Sequence, residues 1–466
     1  MMNMYGNTAL ALLLAQLAAL YAEGSSKPNI VLILADDLGY GDLACFGGKD
    51  IKTPNINSLA RDGMKFTSFY VHQRCSPSRL AFMTGCYAHR VGTTKVIYPR
   101  DRIGINPAEI TTPELLKQAG YTCGIVGKWH LGDWEPFHPL NHGFDYFKGA
   151  WHINADGDGT GEEGGAFMEN RTVLSATYRK CGETEHEEVN GALRFIEANK
   201  NRPFFLYYAS RGTHSHWRPS AKFIGTSPRP NNYGDAVQEL DYEVGRILQK
   251  LDELGLADNT LVIFGSDNGA PVTPGPSNAP LREGKWTNFE GGIRTPWLMR
   301  WPGRIPAGTT SDSIAGIWDL LPTFCAIAGV NPPTDRVLDG VNRLPVMLEK
   351  TNAMLIAQQV IMAGSIIRQG EWKLFLKAEK PGGKGNHGGE ETPAGSLYNV
   401  ASDPGETTDV SAAHPEVVQR LRTAAEAFER ELAATSRPIG KLESDAEDSA
   451  APEAKAKKNN QKKNRK

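Results

Sequence analysis

The chain has 466 residues, 40% of them hydrophobic and 22% charged, enough to bury one large core and a smaller second one. Its 51 Lys and Arg nearly balance 53 Asp and Glu, for a formal net charge of -2, so nucleic acid is not expected as a global partner and any preference for anions must be local. The six cysteines, at 45, 75, 86, 123, 181 and 325, are irregularly spaced and do not describe a disulfide scaffold.

The first apolar run, Ala9 to Ala22 with small residues at its end, is too short to span a bilayer comfortably. It predicts a signal peptide over residues 1–22, hence export to the periplasm or beyond with no membrane anchor, although no Lys or Arg precedes it. The segment "PNIVLILADD" is a continuous apolar run closed by Asp36 and Asp37, the pattern of a central strand in a parallel sheet with polar residues at its carboxyl end. Thr53, Pro54 and Gly63 punctuate a short helix, and "MKFTSFYV" follows as a strand.

In "VHQRCSPSRLAFMTG", residues 71–85, Cys75 sits among His72, Arg74, Ser76, Ser78 and Arg79, a setting that suits chemistry better than packing. Pro77 and Gly85 predict a helix over 77–84 with Cys75 at its N-terminal edge, and Arg79 one turn in makes that edge an anion site. The helix grammar repeats from Thr112 to Gly120, followed by the strand "YTCGIVG". The stretch "YGDAVQELDYEVGRILQKLDELG" has helical periodicity and stops at Gly255. It leads into "NTLVIFGSDNG", a second buried strand ending in Asp267 and Asn268.

Alternating strands and helices predict an α/β fold, a large mixed or parallel sheet sandwiched by helices, with ligands at the carboxyl ends of its strands. Beyond residue 350 come short strands in "GSIIRQGEWKLFLK" and "GSLYNV" and a helix from His414 to near Ala433. The expected organisation is a catalytic domain over 27–350, a smaller α+β unit over 351–436, and a disordered Lys-rich tail over 437–466 ending "KAKKNNQKKNRK". Two glycine-rich stretches, 156–165 and 380–395, read as surface loops without chemistry, and Trp129, Phe137 and Trp151 read as packing residues.

The run "CSPSRLAFMTG" resembles the signature of the type I sulfatases, in which the cysteine is oxidised after synthesis to Cα-formylglycine. Further segments are similar to that family in the same order: "ADDLGYGDLACFGG" and "GSDNG" to its metal segments, "GKWHLG" to its Lys and His loop, "REGKWTNFEGGIRTP" to its sulfate-binding segment, and "SLYNVASDPGETTDV" to its C-terminal region. The likeness runs from about Pro28 to Leu432. It implies an alkaline phosphatase-like fold and hydrolysis of a sulfate monoester, with a sulfated carbohydrate as the expected substrate and a formylglycine-generating enzyme as the maturation partner.

The resemblance also implies roles. Asp36, Asp37, Asp267 and Asn268, with the oxidised Cys75, form the metal site, and four hard oxygen donors suit Ca²⁺, or Mg²⁺, better than a soft metal. Hydrated formylglycine at 75 is the nucleophile, passing through a sulfated enzyme. Arg79 and Lys128 keep it nucleophilic, Lys285 binds sulfate, His214 protonates the leaving alcohol, and His130 takes a proton when sulfate is expelled. In "GTHSHWRP", Thr213 and His216 stand where the family has prolines, so His216 is the alternative acid. Taken singly, each of these residues has an ordinary reading: Asp36 and Asp37 as a turn, Lys128, His130, His214 and Lys285 as loop residues. Their joint order with Cys75 argues otherwise. Two other functions are kept beside the first: a phosphomonoesterase or phosphodiesterase of the same superfamily, and a non-catalytic binder of sulfated glycans if Cys75 stays unmodified.

Overall fold

The computed structural model describes residues 27–151, 165–178, 182–349, 359–382 and 390–442. The expected signal peptide, nearly all of the 156–165 loop, Cys181 and the tail beyond 442 lie outside them. In chain order the elements used below are β1 (Asn29–Ala35), α1 (Pro54–Arg61), β2 (Met64–Tyr70), α2 (Cys75–Thr84), β3 (Ile103–Gly104), α3 (Thr112–Gln118) and β4 (Thr122–Lys128). There follow β5 (Tyr146–Ala150), β6 (Gly165–Glu169), β7 (Thr172–Tyr178), α4 (Gly182–Asn199), β8 (Phe204–Ala209), α5 (Tyr233–Glu253), β9 (Thr260–Ser266) and β10 (Arg294–Arg300). The last are β11 (Thr309–Ser311), β12 (Ala315–Gly316), α6 (Leu320–Ala328), β13 (Gln359–Met362), β14 (Ile366–Gln369), β15 (Trp372–Phe375), β16 (Leu397–Asn399), α7 (Pro415–Thr435) and β17 (Gly440–Lys441).

Among the described residues an 11-stranded sheet runs β11-β2-β10-β9-β1-β8-β4-β5-β6-β7, with β12 beside β2. Its centre, β9, β1, β8, β4 and β5, is parallel, and β10 and β6 join it antiparallel on either side. All seven residues of β1 are buried, because successive side chains point to opposite faces and helices cover both. Ile30, Leu32 and Leu34 enter a core shared with α2, α3 and α6. Val31, Ile33 and Ala35 enter a second core under α1, α4 and α5.

The helix signals hold with small shifts at the ends: α2 begins at Cys75, two residues before Pro77, and α7 runs from Pro415 to Thr435. The cap of α3 is Thr111, not Thr112, because Glu114 is three residues from Thr111 and its carboxylate accepts the Thr111 backbone N–H at 2.7 Å. Gly85 closes α2 at φ 67, a left-handed turn that glycine makes without steric penalty.

The smaller antiparallel sheet, β13-β14-β15-β16, carries α7 on it, but it does not enclose a core of its own. Leu374, Phe375 and Leu421 belong to the same cluster as Phe289 and Trp318, and the Phe289 and Phe375 rings lie 5.3 Å apart. A buried ion cluster pins the junction. Lys373 Nζ donates to Glu290 at 3.0 Å and to the Asn288 carbonyl at 2.7 Å, and pairs with Glu406 at 2.8 Å. Burial works against the Glu290 charge, yet Lys373, Arg368 and Arg294 hold its carboxyl down at about 2. Removing the ammonium would leave two buried carboxylates facing each other. Lys373→Met is therefore expected to destabilise the protein by about 3–5 kcal/mol, read as a lower denaturation midpoint; a change within about 0.5 kcal/mol would class the cluster with surface pairs.

The chain does not become a free tail at residue 437. Arg437 pairs with Glu109 at 2.8 Å, and β17 adds to β3 antiparallel. The Lys-rich composition that suggested disorder begins only after these contacts.

Candidate active site

Four strand ends, one helix start and one loop build the site. β1 and β9 are parallel neighbours with Ala35 opposite Ser266, so the next residues, Asp36 and Asp37 on one and Asp267 and Asn268 on the other, emerge together. Consecutive strand residues would point to opposite faces. Asp37 instead adopts φ 65, a left-handed conformation uncommon outside glycine, and both carboxylates face one cluster. The ligand atoms of Asp36, Asp37, Cys75 and His214 all lie within 4.8 Å of one another.

Cys75 begins α2 and is 1% exposed. Its Sγ lies 3.4 Å from Asp36 Oδ1. Arg79, one turn on, donates through Nε and Nη2 to Asp267 Oδ2 at 3.0 and 2.8 Å, and through Nη1 to the Lys128 carbonyl at 3.0 Å and Tyr207 Oη at 3.1 Å. Lys128, at the end of β4, donates to Asp36 Oδ2 at 2.6 Å. His130 follows two residues later, buried and at φ 62. Lys285 arrives on the loop between β9 and β10, with Nζ 2.7 Å from Asp37 Oδ2 and 3.2 Å from His214 Nε2. His214 Nε2 is in turn 3.4 Å from Asp37 Oδ2, with its side chain 12% exposed. His216, two residues after His214, is exposed.

Three buried carboxylates thus face three cationic groups. Burial alone would raise Asp36, but Lys128, His214, Arg79 and Lys285 hold it well below the usual carboxylate range. Burial and the Asp36 charge push Asp267 up to about 6 against the pull of Arg79. Burial works against the Lys285 ammonium, yet Asp37 keeps it firmly charged. Burial pushes the Cys75 thiol far above its ordinary value, with Asp36 adding to the effect. These surroundings disfavour the thiolate, the form in which a cysteine attacks. His214 is pushed down to about 3 by burial, with Asp37 pulling the other way.

A hard cation fits the donor set. Asn268 Nδ2 donates to Asp37 Oδ1 at 2.6 Å, leaving its Oδ1 a buried acceptor with no donor. An orphaned buried carbonyl oxygen beside three carboxylates is the chemistry a calcium or magnesium ion satisfies.

The contacts above join Asp36, Asp37, Cys75, Arg79, Lys128, His214, Asp267, Asn268 and Lys285, while His130 is placed only by following Lys128 by two residues. Two partners were not foreseen. Tyr207 steadies Arg79 from inside β8, and Thr213 Oγ1 donates to the Asp36 carbonyl at 2.6 Å. The signal for Tyr207 was a polar tip in the apolar run "FFLYYA"; Thr213 was noticed only as a departure from a motif. Trp129, Phe137 and Trp151 are buried, with Trp129 Nε1 donating to the Phe137 carbonyl at 2.8 Å.

A sheet of this order, with acidic strand ends gathered at a buried cysteine and three cations, is the architecture of an alkaline phosphatase-like hydrolase. Residues 28–330 match the Sulfatase family model, and the chain belongs to the type I sulfatases, enzymes that hydrolyse sulfate esters. It is 43% identical over 362 residues to N-acetylgalactosamine-6-sulfatase of Canis lupus familiaris, covering 72% of this chain and 69% of that one. It is 35% identical over 467 residues to arylsulfatase A of Homo sapiens, covering 88% and 89%. The solved structure of Ps i-CgsB in complex with k-i-k-neocarrahexaose superposes with a TM-score of 0.77 at 30% identity, covering 90% of this chain and 96% of that one.

Proposed function

We propose that this sulfatase acts on a sulfated carbohydrate, with N-acetylgalactosamine 6-sulfate as the first candidate, and that Cys75 works as formylglycine. The observation that carries the reading is the place of Cys75: a buried thiol at the start of α2, 3.4 Å from Asp36 Oδ1 and grouped with Asp37 and His214, in a cluster whose carboxylates are paired by Arg79, Lys128 and Lys285. Burial disfavours its thiolate, and its place in the cluster suits an aldehyde oxygen standing where the sulfur is. Formylglycine supplies, when hydrated, one hydroxyl to take the sulfate and a second that allows it to be expelled. That second hydroxyl is what serine lacks. The conversion is an oxidation, for which a maturation enzyme is the required partner.

The residues then divide the work. Asp36, Asp37, Asp267 and Asn268 would hold a calcium or magnesium ion, which would supply positive charge to the sulfate. The cluster of three carboxylates and three cations is neutral by itself, so a divalent ion turns it positive, the sign a sulfate monoanion requires. Lys285 binds the sulfate, and Arg79 and Lys128 stabilise negative charge at position 75. His214 passes a proton to the leaving alcohol, and His130 takes one when sulfate departs. A neutral His214 must first gain that proton, and the negative ester beside Nε2 supplies the pull. Among the described residues no helix is long and apolar enough to cross a membrane, and export through the 1–22 leader to the periplasm or outside belongs to the same reading.

A panel of sulfated sugars tests the substrate: turnover of an aryl sulfate alone would overturn it. The acid is tested separately. His214→Ala is expected to lower kcat/KM by roughly 10²- to 10⁴-fold on a sugar sulfate, and much less on an aryl sulfate, whose phenolate leaves with little help. Equal losses on both, with the differential appearing in His216→Ala instead, would move the acid to His216.

A further inference from the structure

Beside the sulfate cluster stands a cation that no catalytic role uses. Arg74 directly precedes Cys75 and Trp286 directly follows Lys285, and the two segments are clamped by a hydrogen bond from the Trp286 backbone N–H to the Gln73 carbonyl at 2.9 Å. The Arg74 guanidinium lies 5.2 Å from the Trp286 ring centroid, and Lys285 Nζ lies 5.4 Å from the same centroid. One indole ring is thus flanked by the cation next to Cys75 and by the lysine of the sulfate cluster. Cys75 is buried, whereas Arg74 and Trp286 are half-buried, so they lie nearer the solvent.

Arg74 is under-used by the protein. Its Nη1 donates to the Thr94 carbonyl at 3.1 Å, and its Nε is buried with no acceptor. It makes no ion pair among the described residues. The carboxylate it senses, Glu379, has its oxygens engaged by Asn288 at 2.9 and 3.1 Å. A guanidinium carries five donors in a planar fork that matches oxyanions. Partial burial without a carboxylate is unfavourable for it, and an anionic ligand relieves that.

We propose that Arg74, braced on Trp286, is a specificity subsite for a second anionic group of the substrate, a carboxylate or sulfate carried close to the ester being cleaved. The inference rests on the carbohydrate reading above and goes further, because it predicts preference for polyanionic sugars over singly charged ones. The guanidinium grips the second anion while the first sulfate occupies the Lys285 cluster, so its contribution falls on substrate binding.

The test uses the full chain carrying formylglycine and three probes: N-acetylgalactosamine 6-sulfate, the same sugar with a second sulfate, and the disaccharide in which a uronic acid adjoins it. For each preparation the kcat/KM of the dianionic probe is divided by that of the monoanionic one, so the folded or converted fraction cancels. Arg74→Gln is expected to lower this ratio by about 10- to 100-fold, chiefly through KM, with Arg74→Lys keeping part of the preference. A drop confined to the disulfate identifies the second anion as sulfate, and one confined to the disaccharide identifies it as carboxylate; either supports the subsite. An unchanged ratio in Arg74→Gln for both probes overturns it while leaving the carbohydrate reading intact. Failure of the unaltered enzyme on every sugar, with an aryl sulfate still cleaved, overturns both.

Discussion

Cys75→Ser is expected to abolish turnover, by about 10³-fold or more on any sulfate ester, in a protein that folds normally. Serine is nearly isosteric with the thiol and can keep the contact to Asp36 that Sγ makes at 3.4 Å. It presents one hydroxyl where the proposed chemistry needs two. The variant should therefore melt close to the parent and still be stabilised by inorganic sulfate. Steady turnover by Cys75→Ser at a rate near that of the parent would contradict the mechanism, because a single hydroxyl cannot expel the sulfate it has accepted.

The metal assignment predicts the second large effect. Asp267→Asn keeps the shape of a side chain that accepts two bonds from Arg79 and one from the Asp37 backbone N–H, but it removes one of three carboxylates from the cation site. Calcium or magnesium content should fall, thermal stability should drop where the parent was saturated with that ion, and activity should fall by about 10²-fold or more. Asp267→Ala confounds this result. It also strands a buried guanidinium, an error of about 3–5 kcal/mol in the fold itself. Unchanged metal content in Asp267→Asn, or zinc in the parent, would refute the assignment.

Much of the site was legible because its residues sit at punctuation marks. The runs "NIVLILA" and "TLVIFGS" are apolar on both faces, which only a covered central strand tolerates, and the acids that follow each run had to lie at a carboxyl end. Gly85 likewise marked the end of α2, and Pro77 put its start within two residues of Cys75, where the helix begins. What stayed hidden depended on contacts distant in sequence or on backbone conformation. Lys373 is 83 residues from Glu290, and neither residue is remarkable in its local segment. Their pairing exists only because the smaller sheet docks against the loop carrying Lys285. The left-handed Asp37, which brings two consecutive carboxylates onto one face, has no sequence signal, since aspartate gives no certain sign of that conformation. Gly440 and Lys441 read as the start of a charged tail and turn out to extend β3, because backbone pairing is blind to the composition that suggested disorder. The stacking of Arg74 on Trp286 belongs with these, being made by two segments more than two hundred residues apart.

Mass spectrometry of the peptide containing Cys75, from protein made with a maturation system and assayed in the same preparation, bears most directly on the central claim. The expected spectrum shows the mass loss of thiol replaced by aldehyde, with activity rising in proportion to the converted fraction. Full activity in protein whose Cys75 is wholly unmodified cysteine would contradict it.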